Sequence, residues 1–266
     1  MTQIYSKFDL ISCTVIDKIK TYLRSLERDS IPQLSINCAI FGFHEKKLKV
    51  VVNKIEFRGI NITVLPGGYV GQKEDLTDAV ERIVKESTGL EKILFKQFAV
   101  FGDASRSFRA EFKAQSFDEK AMLDWVSKRF ISVCYLALVD FNKIELKPTQ
   151  FLEAAQWMPV DKTRSLAMDH SAIVKSARET LMKELPYSPI ASNLLPGKFT
   201  LPDLQALVEA IIGREIDRPN FRRKILASGM LVKVGQDKSG KRRPADVYTF
   251  KYGRKTSLSG ISYYSK

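Results

Sequence analysis

One stretch of the chain, residues 68–90 (GYVGQKEDLTDAVERIVKESTGL), constrains the possible fold more than any other. A helix beginning near Leu76 places residues 83, 86 and 87 on one face, because side chains three and four positions apart lie above one another. Of these three, Glu86 carries a carboxylate, whereas Ile83 has no ligand oxygen and Ser87 has a weak neutral one. Three carboxylates on such a face could hold Mg²⁺ ions against a diphosphate, and this chain keeps one of the three. Efficient Mg²⁺-assisted hydrolysis of a diphosphate is therefore not expected.

The same stretch resembles the Nudix box, which runs Gly, five residues, Glu, seven residues, then Arg-Glu-aliphatic-x-Glu-Glu-x-Gly-aliphatic. The matching residues are Gly68, Glu74, Arg82, Val84, Glu86, Gly89 and Leu90. The departures are Ile83 and Ser87, which stand where the family has glutamates. Glu74 and Glu86 could still bind a metal ion weakly together with substrate phosphates, or they could be ordinary solvated helix residues.

The composition bounds the class of protein. With 266 residues and 44% hydrophobic residues, the chain is long enough for two domains with proper cores. It contains no run of eighteen apolar residues and no secretory pattern at its N-terminus, so we expect a cytoplasmic protein without a membrane partner. Cys13, Cys38 and Cys134 are far apart and lack CxxC spacing, so neither a disulfide framework nor a metal site is expected, and no cofactor is indicated.

The positive charge of the chain is concentrated near its C-terminus. Residues 190–266 carry fifteen Lys and Arg against six Asp and Glu, a net of +9 out of +13 for the whole chain. A basic face on one small domain is typical of a protein that binds a polyanion, since neutralised phosphates release counterions. A solvated basic surface is the alternative that charge alone leaves open.

The order of helical and strand-like segments predicts two folded parts. Residues 8–26 carry apolar side chains at helical spacing, and residues 34–57 contain two β-rich runs separated by HEKK, which predicts a hairpin. Strands are expected at Phe95–Phe101 and Phe130–Leu138, and a helix at Ser171–Glu184. We therefore expect an N-terminal helical extension (1–33), an α/β domain (34–185), a linker (186–197) and a C-terminal domain (198–266).

The C-terminal part has the pattern of a winged helix. Thr200 with Asp203, and Asp217 after it, are candidate N-caps of two helices, the first of which closes near Gly213. Two short strands joined by a basic turn follow, and in winged-helix domains the second helix enters the major groove while the wing lies along the backbone. The candidate DNA-binding residues are Arg218, Asn220, Arg223, Lys224, Lys238, Lys241, Arg242 and Arg243.

Taken together, the Nudix box and residues 193–226 (NLLPGKFTLPDLQALVEAIIGREIDRPNFRRKIL) resemble the bacterial Nudix-related transcriptional regulators. The resemblance implies a Nudix-type α/β/α sandwich followed by a winged helix-turn-helix domain. It also implies a homodimer that binds double-stranded operator DNA, and a small-molecule effector of the arabinose or ADP-ribose type. No catalytic residue is assigned, because two carboxylates of the box are missing.

Candidate effector-binding residues follow from the positions that match this family. A segment F-G-x-x-x-R corresponds to Phe101, Gly102 and Arg106, and a following R-x-x-S to Arg129 and Ser132, with about twenty residues inserted between them. The candidate ligand-binding residues are Arg82, Glu86, Asp103, Arg106 and Arg129. Each could instead form an ordinary salt bridge in a loop, and His170 of the matching MDH sequence is expected to be structural.

Two classes of function stay open on the sequence alone. In the first, the protein is an effector-responsive transcriptional regulator, repressor or activator, without catalysis. In the second, it is a Nudix hydrolase of a nucleoside diphosphate derivative with an appended nucleic-acid-binding module. Ile83, Ser87 and the basic C-terminal domain favour the first class, while Glu74, Arg82 and Glu86 favour the second.

Overall fold

A long first strand organises the N-terminal part of the molecule. The structure is a computed structural model that describes residues 24–57, 60–89, 93–106, 128–144, 154–184, 193–237 and 244–251, together with residues 21, 91 and 146. The elements of the first part are β1 (Ser30–His44), β2 (Lys47–Phe57), β3 (Ile60–Val64), β4 (Gly67–Gly71), α1 (Leu76–Thr88), β5 (Phe95–Phe101), β6 (Ile131–Leu138), β7 (Ala154–Pro159) and α2 (His170–Glu184). Short 3₁₀ turns lie at Phe141–Lys143 and Val160–Ser165.

Strand β1 lies in the middle of a mixed sheet. In the described part of the chain seven strands form this sheet in the order β3-β2-β1-β6-β5, with β4 paired to β1 and β7 paired to β2. The β1–β6 pair is parallel and the β1–β2 pair is antiparallel. The β1–β2 hairpin is confirmed, and its two turn residues, Glu45 and Lys46, both have positive φ, at 50° and 58°. Two positive φ values are typical of a type I′ turn, whose backbone twist matches that of the two flanking strands in a hairpin with a two-residue loop.

The alternation of side chains along β1 creates two cores, one on each face of the sheet. Ile36, Cys38 and Ile40 point to one face, where they pack with Val80, Ile83 and Val84 of α1. The residues between them point to the other face, where Ala39 and Phe41 pack with Ile173, Val174, Ala177 and Leu181 of α2. The expected α/β/α sandwich is therefore confirmed, with the box helix on one side of the sheet and α2 on the other.

The C-terminal part forms a helix pair followed by a hairpin, as expected for a winged helix. Its elements are β8 (Phe199–Thr200), α3 (Leu201–Ile212), α4 (Arg218–Ala227), β9 (Leu231–Asp237) and β10 (Ala245–Phe250). Thr200 and Asp203 form a reciprocal capping box at the start of α3, and the Asp217 side chain accepts from the Asn220 N–H at 2.9 Å at the start of α4. The three strands pair in the order β8-β10-β9.

The two parts share one hydrophobic core. Leu204, Leu207 and Ile211 of α3 belong to the same cluster as Phe41 and Val50 of the central sheet, so α3 packs on the sheet face that α2 also covers. The linker at 186–197 stays a prediction, and of its described residues Leu194 and Leu195 are buried in this cluster. The three prolines in this stretch suggested an exposed linker, but two adjacent leucines contribute to the core instead.

Other expectations lie partly outside the described residues. Residues 24–29 are helical. Most of the predicted helix 8–26, all but the last residue of the insertion at 107–128, and the wing tip at 238–243 are not described. Strands β3 and β7 were not predicted. The alternating run INITV lies between Gly59 and the Pro66-Gly67 pair, so the sequence did carry a strand pattern for β3, whereas AAQWMP shows no such alternation. No helix in the described ranges has the length and apolarity needed to span a membrane.

Candidate effector site and nucleic-acid interface

The loop before the box helix is tied to that helix by an ion pair. Arg82 on α1 donates through Nε and Nη2 to the two carboxylate oxygens of Glu74 at 2.8 and 2.9 Å, and through Nη2 to the Tyr69 carbonyl at 2.9 Å. Glu74 also accepts from the Gly71 N–H at 2.9 Å. The hydrogen bond from Arg82 lowers the pKa of Glu74. Both residues therefore fix the shape of the β4–α1 loop, whatever binds beside it.

The three positions that hold glutamates in the family face different surroundings here. Ile83 is 1% exposed and packs in the α1 core, and Ser87 is 5% exposed, with its hydroxyl donating to the Ile83 carbonyl at 2.8 Å. The Glu86 side chain is 58% exposed and lies 3.8 Å from Arg82 Nη1. The expected common face is thus divided into an apolar inner side and a single outer carboxylate. Among the described residues, no three His, Cys, Asp or Glu side chains are placed to hold a metal ion together.

A shallow groove of about 430 Å³ runs along the outer flank of α1. Arg82 is the sequence candidate that lines it, and the other lining residues are Asp78, Glu81, Val84, Lys85, Glu91, Ile93 and Phe95. Lys85 and Glu91 form an ion pair of 2.6 Å across it, which raises the pKa of Lys85. Five of the eight lining residues are charged and three are apolar, so this groove offers a ligand both hydrogen-bonding groups and apolar surface.

Arg106 is the centre of a buried polar network. Its Nε donates to Asp169 Oδ2 at 2.8 Å, its Nη1 to the Phe130 carbonyl at 2.9 Å and its Nη2 to Asn37 Oδ1 at 3.2 Å. The Ser132 hydroxyl donates to the same Asn37 oxygen at 2.6 Å. Arg106 is 6% exposed, and Asp169 Oδ1 is buried without a hydrogen-bond partner. The guanidinium fork thus holds together β1, β6 and the start of α2 rather than facing open solvent.

The other two candidates of this loop lie at the surface. Asp103 accepts from both the N–H and the hydroxyl of Ser105, at 2.9 and 2.6 Å, and these bonds lower the pKa of Asp103. Arg129 is exposed and donates to the Gly102 carbonyl. Arg106 and Arg129 thus mark the two ends of the insertion, one buried and one exposed.

His170 begins α2 inside this network. Its Nδ1 accepts from the Leu65 N–H at 2.9 Å, and the residue is 3% exposed. Burial, and then the positive charge of Arg106, lower the pKa of His170 from an ordinary value of 6.5 to about 3. The ring is therefore neutral at physiological pH and has a structural role.

We expect acid to destabilise the protein through His170. Below pH 6.5 the unfolded chain binds a proton at this position, whereas the folded ring stays neutral down to about pH 3. The stabilising contribution is therefore full above pH 6.5 and is lost as the pH falls through this window. Between pH 6.5 and pH 5 the free energy of unfolding should drop by about 2 kcal/mol more in the wild type than in His170→Asn, at about 1.4 kcal/mol for each pH unit. Urea unfolding at several pH values measures the difference, and parallel curves for the two proteins would contradict it.

Helix α4 presents several basic side chains to solvent. Arg218, Arg223 and Lys224 are exposed, while Asn220 is half-buried and accepts from Arg223 Nη2 at 2.8 Å through its amide oxygen. Arg222 is also exposed, which makes four basic side chains on a ten-residue helix. Our sequence candidates omitted Arg222, although it belongs to the same run of charges, Arg222-Arg223-Lys224. The structure therefore adds Arg222 to the candidate interface.

The hairpin beside α4 carries a smaller polar cluster. Lys233 of β9 forms an ion pair of 2.6 Å with Asp246 of β10, and Gln236 donates to the same carboxylate at 3.1 Å. The hydrogen bond from Lys233 lowers the pKa of Asp246. The four wing-tip candidates, Lys238, Lys241, Arg242 and Arg243, lie outside the described residues.

Comparisons with known proteins divide the chain in the same way. The NUDIX domain family model matches residues 32–178, and the model of the NrtR DNA-binding winged helix domain matches residues 191–250. The ADPR responsive transcriptional repressor NtrR of Acinetobacter baylyi is 27% identical over 224 residues, which are 82% of each chain.

Two solved structures share the two-part fold. The crystal structure of Shewanella oneidensis NrtR is 26% identical, covers 82% of this chain and 94% of its own, and superposes with a TM-score of 0.63. The same protein complexed with a 27mer DNA is 24% identical, covers 86% and 96% of the two chains, and gives a TM-score of 0.64. The chain thus belongs to the Nudix family, and an NrtR-type winged helix domain follows its Nudix domain.

Proposed function

We propose that this protein is a transcriptional regulator whose winged helix binds operator DNA and whose Nudix domain binds ADP-ribose or a closely related nucleotide sugar. The observation that carries the proposal is the set of exposed basic side chains on α4, a helix of the domain that matches a DNA-binding winged helix model. Arginine and lysine side chains on the second helix of such a domain are placed to contact phosphates and base edges in the major groove.

The similar repressor from Acinetobacter baylyi supports the choice of effector. That protein responds to ADP-ribose, and its similarity to this chain extends over both domains. ADP-ribose is thus favoured over arabinose as the effector. Repression is favoured over activation on the same ground, and a cytoplasmic location follows from a role on operator DNA.

The proposed regulator is not an efficient hydrolase. Two of the three family glutamates on the box helix are replaced, and the replacing side chains are buried, so the remaining Glu86 would have to hold Mg²⁺ alone with substrate phosphates. The alternative, a nucleoside diphosphate hydrolase with a nucleic-acid-binding module, is favoured by the intact Glu74–Arg82 pair and by Glu86.

Within the Nudix domain we assign effector contacts to exposed groups near the insertion and the box helix. Asp103 and Arg129 are exposed and would offer a carboxylate to sugar hydroxyls and a guanidinium to phosphates, while Arg82 and Glu86 of the box helix would extend the site. Arg106 would act by holding Asp169 and the ends of the insertion in place, since its donors already bind protein groups. A homodimer would place two winged helices on the two halves of a palindromic operator.

Thermal unfolding with ADP-ribose, AMP and L-arabinose at equal concentrations tests the effector assignment. A ligand that binds the native state at 100 times its dissociation constant stabilises it by about 2.7 kcal/mol, so ADP-ribose should raise the Tm and arabinose should not. A parallel incubation of ADP-ribose with the protein and Mg²⁺ should yield no AMP at enzyme-like rates. Rapid turnover would instead establish the hydrolase, and a shift with arabinose alone would overturn the assignment of ADP-ribose.

A further inference from the structure

An arginine of the Nudix domain, Arg178, binds the end of the first helix of the winged helix. Arg178 on α2 donates through Nε to the Ile211 carbonyl at 2.7 Å and through Nη2 to the Ala210 carbonyl at 3.1 Å. The last carbonyls of a helix have no partner within that helix, and they carry its partial negative charge. Arg178 therefore caps α3 from another domain, and its side chain is 22% exposed.

The residue that ends α3 is shaped to accept this arginine. Gly213 has φ +77°, and its N–H donates to the Glu209 carbonyl at 2.7 Å. A Cβ at this position would lie 2.5 Å from Arg178 Nη2, much closer than contact distance. Glycine is thus favoured here for its left-handed backbone and also for the space it leaves to the guanidinium.

The turn from α3 to α4 is held by a second set of contacts close to the first. Glu209 Oε1 accepts from the Ile216 N–H at 2.9 Å and from Gln205 Nε2 at 2.8 Å. Ile216 immediately precedes Asp217, the N-cap of α4. Lys46, in the β1–β2 turn of the Nudix domain, acts on the Glu209 carboxylate electrostatically, after the two hydrogen bonds, to lower its pKa. The Nudix domain thus meets the winged helix at the turn that sets the direction of α4.

Helix α2 connects this joint to the other end of the Nudix domain. The residue before α2 is Asp169, which pairs with Arg106 at the start of the insertion. Arg178 lies eight residues after the first residue of the same helix, or about 12 Å along its axis. A shift of α2 caused at the Arg106 end would move the Arg178 end as one body, because a helix of this length is stiff along its axis.

We propose that Arg178 is the positioning residue through which effector binding in the Nudix domain changes the placement of the DNA-binding helix α4. The inference rests on the proposed function, since it needs both an effector and a DNA target. Beyond that function, the inference names Arg178 as the residue that transmits the effect of effector binding to α4. Coupling between two sites requires an element whose position both sites influence, and α2 with its bonds to the end of α3 is such an element.

The test compares the DNA affinity of full-length variants with and without saturating ADP-ribose, by fluorescence anisotropy. In the wild type we expect ADP-ribose to change the Kd for DNA by about 5- to 150-fold, the usual range for coupled sites. In Arg178→Ala this ratio should fall below about twofold, while the Kd for ADP-ribose itself stays within about threefold of the wild type. Lys175→Ala is the matched control, since it removes a positive charge from an exposed position of the same helix and should keep the full ratio.

A set of glycine variants tests the joint independently of the arginine deletion. Gly213→Ala should reduce the coupling ratio because the new Cβ displaces Arg178. Gly229→Ala introduces the same backbone strain, at φ +68°, with no neighbour within 4 Å, and should keep the ratio. Arg178→Lys retains the charge without the guanidinium fork, so it should give an intermediate coupling ratio. This variant replaces Arg178→Ala in the test if Arg178→Ala does not fold.

The outcomes separate the inference from the proposed function. A full coupling ratio in Arg178→Ala, or in both Arg178→Lys and Gly213→Ala, overturns the role of Arg178 and leaves the regulator intact. A wild-type protein whose DNA affinity does not respond to ADP-ribose overturns the proposed function, and this inference with it.

Discussion

Replacing Arg222 and Arg223 together by alanine should weaken DNA binding by at least about 30-fold. Both side chains are exposed on α4, and an arginine that contacts a base edge or a phosphate contributes about 1–3 kcal/mol. The salt dependence of the Kd should also become shallower, because each lost phosphate contact removes about 0.9 from the slope of log K against log salt. Fluorescence anisotropy at several salt concentrations measures both quantities.

A matched pair of charges provides the control for this prediction. Lys162 and Arg164 are exposed on the 3₁₀ turn of the Nudix domain, so Lys162→Ala with Arg164→Ala removes the same net charge away from the winged helix. This control should bind DNA within about threefold of the wild type, because neither side chain belongs to the winged helix that is proposed to contact DNA. Equal losses in the two double variants would show that net charge, and not the position of these arginines on α4, governs binding.

Replacing Arg106 by methionine should reduce the free energy of unfolding by about 3–5 kcal/mol, which is the usual cost of removing one partner of a buried ion pair. The change leaves Asp169 without its partner and takes a donor from the Phe130 carbonyl and from Asn37. Urea unfolding measures the loss. Arg129→Met is the control at the other end of the insertion, and we expect a change within about 0.5 kcal/mol there because the side chain is exposed.

A second substitution separates the charge from the packing in this network. In Arg106→Met the Asp169 carboxylate stays partly buried and unpaired, so adding Asp169→Asn should recover part of the lost stability. Purely additive losses in the double variant would contradict the ion pair as the source of the effect. If Arg129→Met lost as much unfolding free energy as Arg106→Met, Arg106 would not be the centre of this buried network.

Local patterns in the sequence predicted most elements of the fold. The capping residues Thr200 and Asp217, the closing Gly213 and the HEKK hairpin each act through neighbours a few positions away, and the structure places each as expected. Such features are decided by backbone hydrogen bonds within one or two turns of the chain. Strand β7 had no such local feature and forms by pairing with β2, whereas β3 carries an alternating pattern, INITV, that our predictions left out.

Contacts over long sequence separations could not be predicted in the same way. Arg106 matched a family position and was a ligand candidate, but its partners Asn37 and Asp169 are 69 and 63 residues away, and they enclose it. Ile83 and Glu86 are three residues apart on one helix, yet one is buried and the other exposed because the sheet covers only one side of α1. The bonds from Arg178 to α3 likewise needed the packing of two domains that share a core.

The most direct test of the regulator account is the affinity of the wild-type protein for DNA, measured with and without ADP-ribose in one titration. The DNA is selected from random duplexes by the protein itself, so no operator sequence has to be assumed. We predict salt-dependent, sequence-selective binding whose Kd changes at least about fivefold when ADP-ribose is added. Sequence-selective DNA binding that ADP-ribose leaves unchanged, or no selective binding at all, would contradict the regulator account.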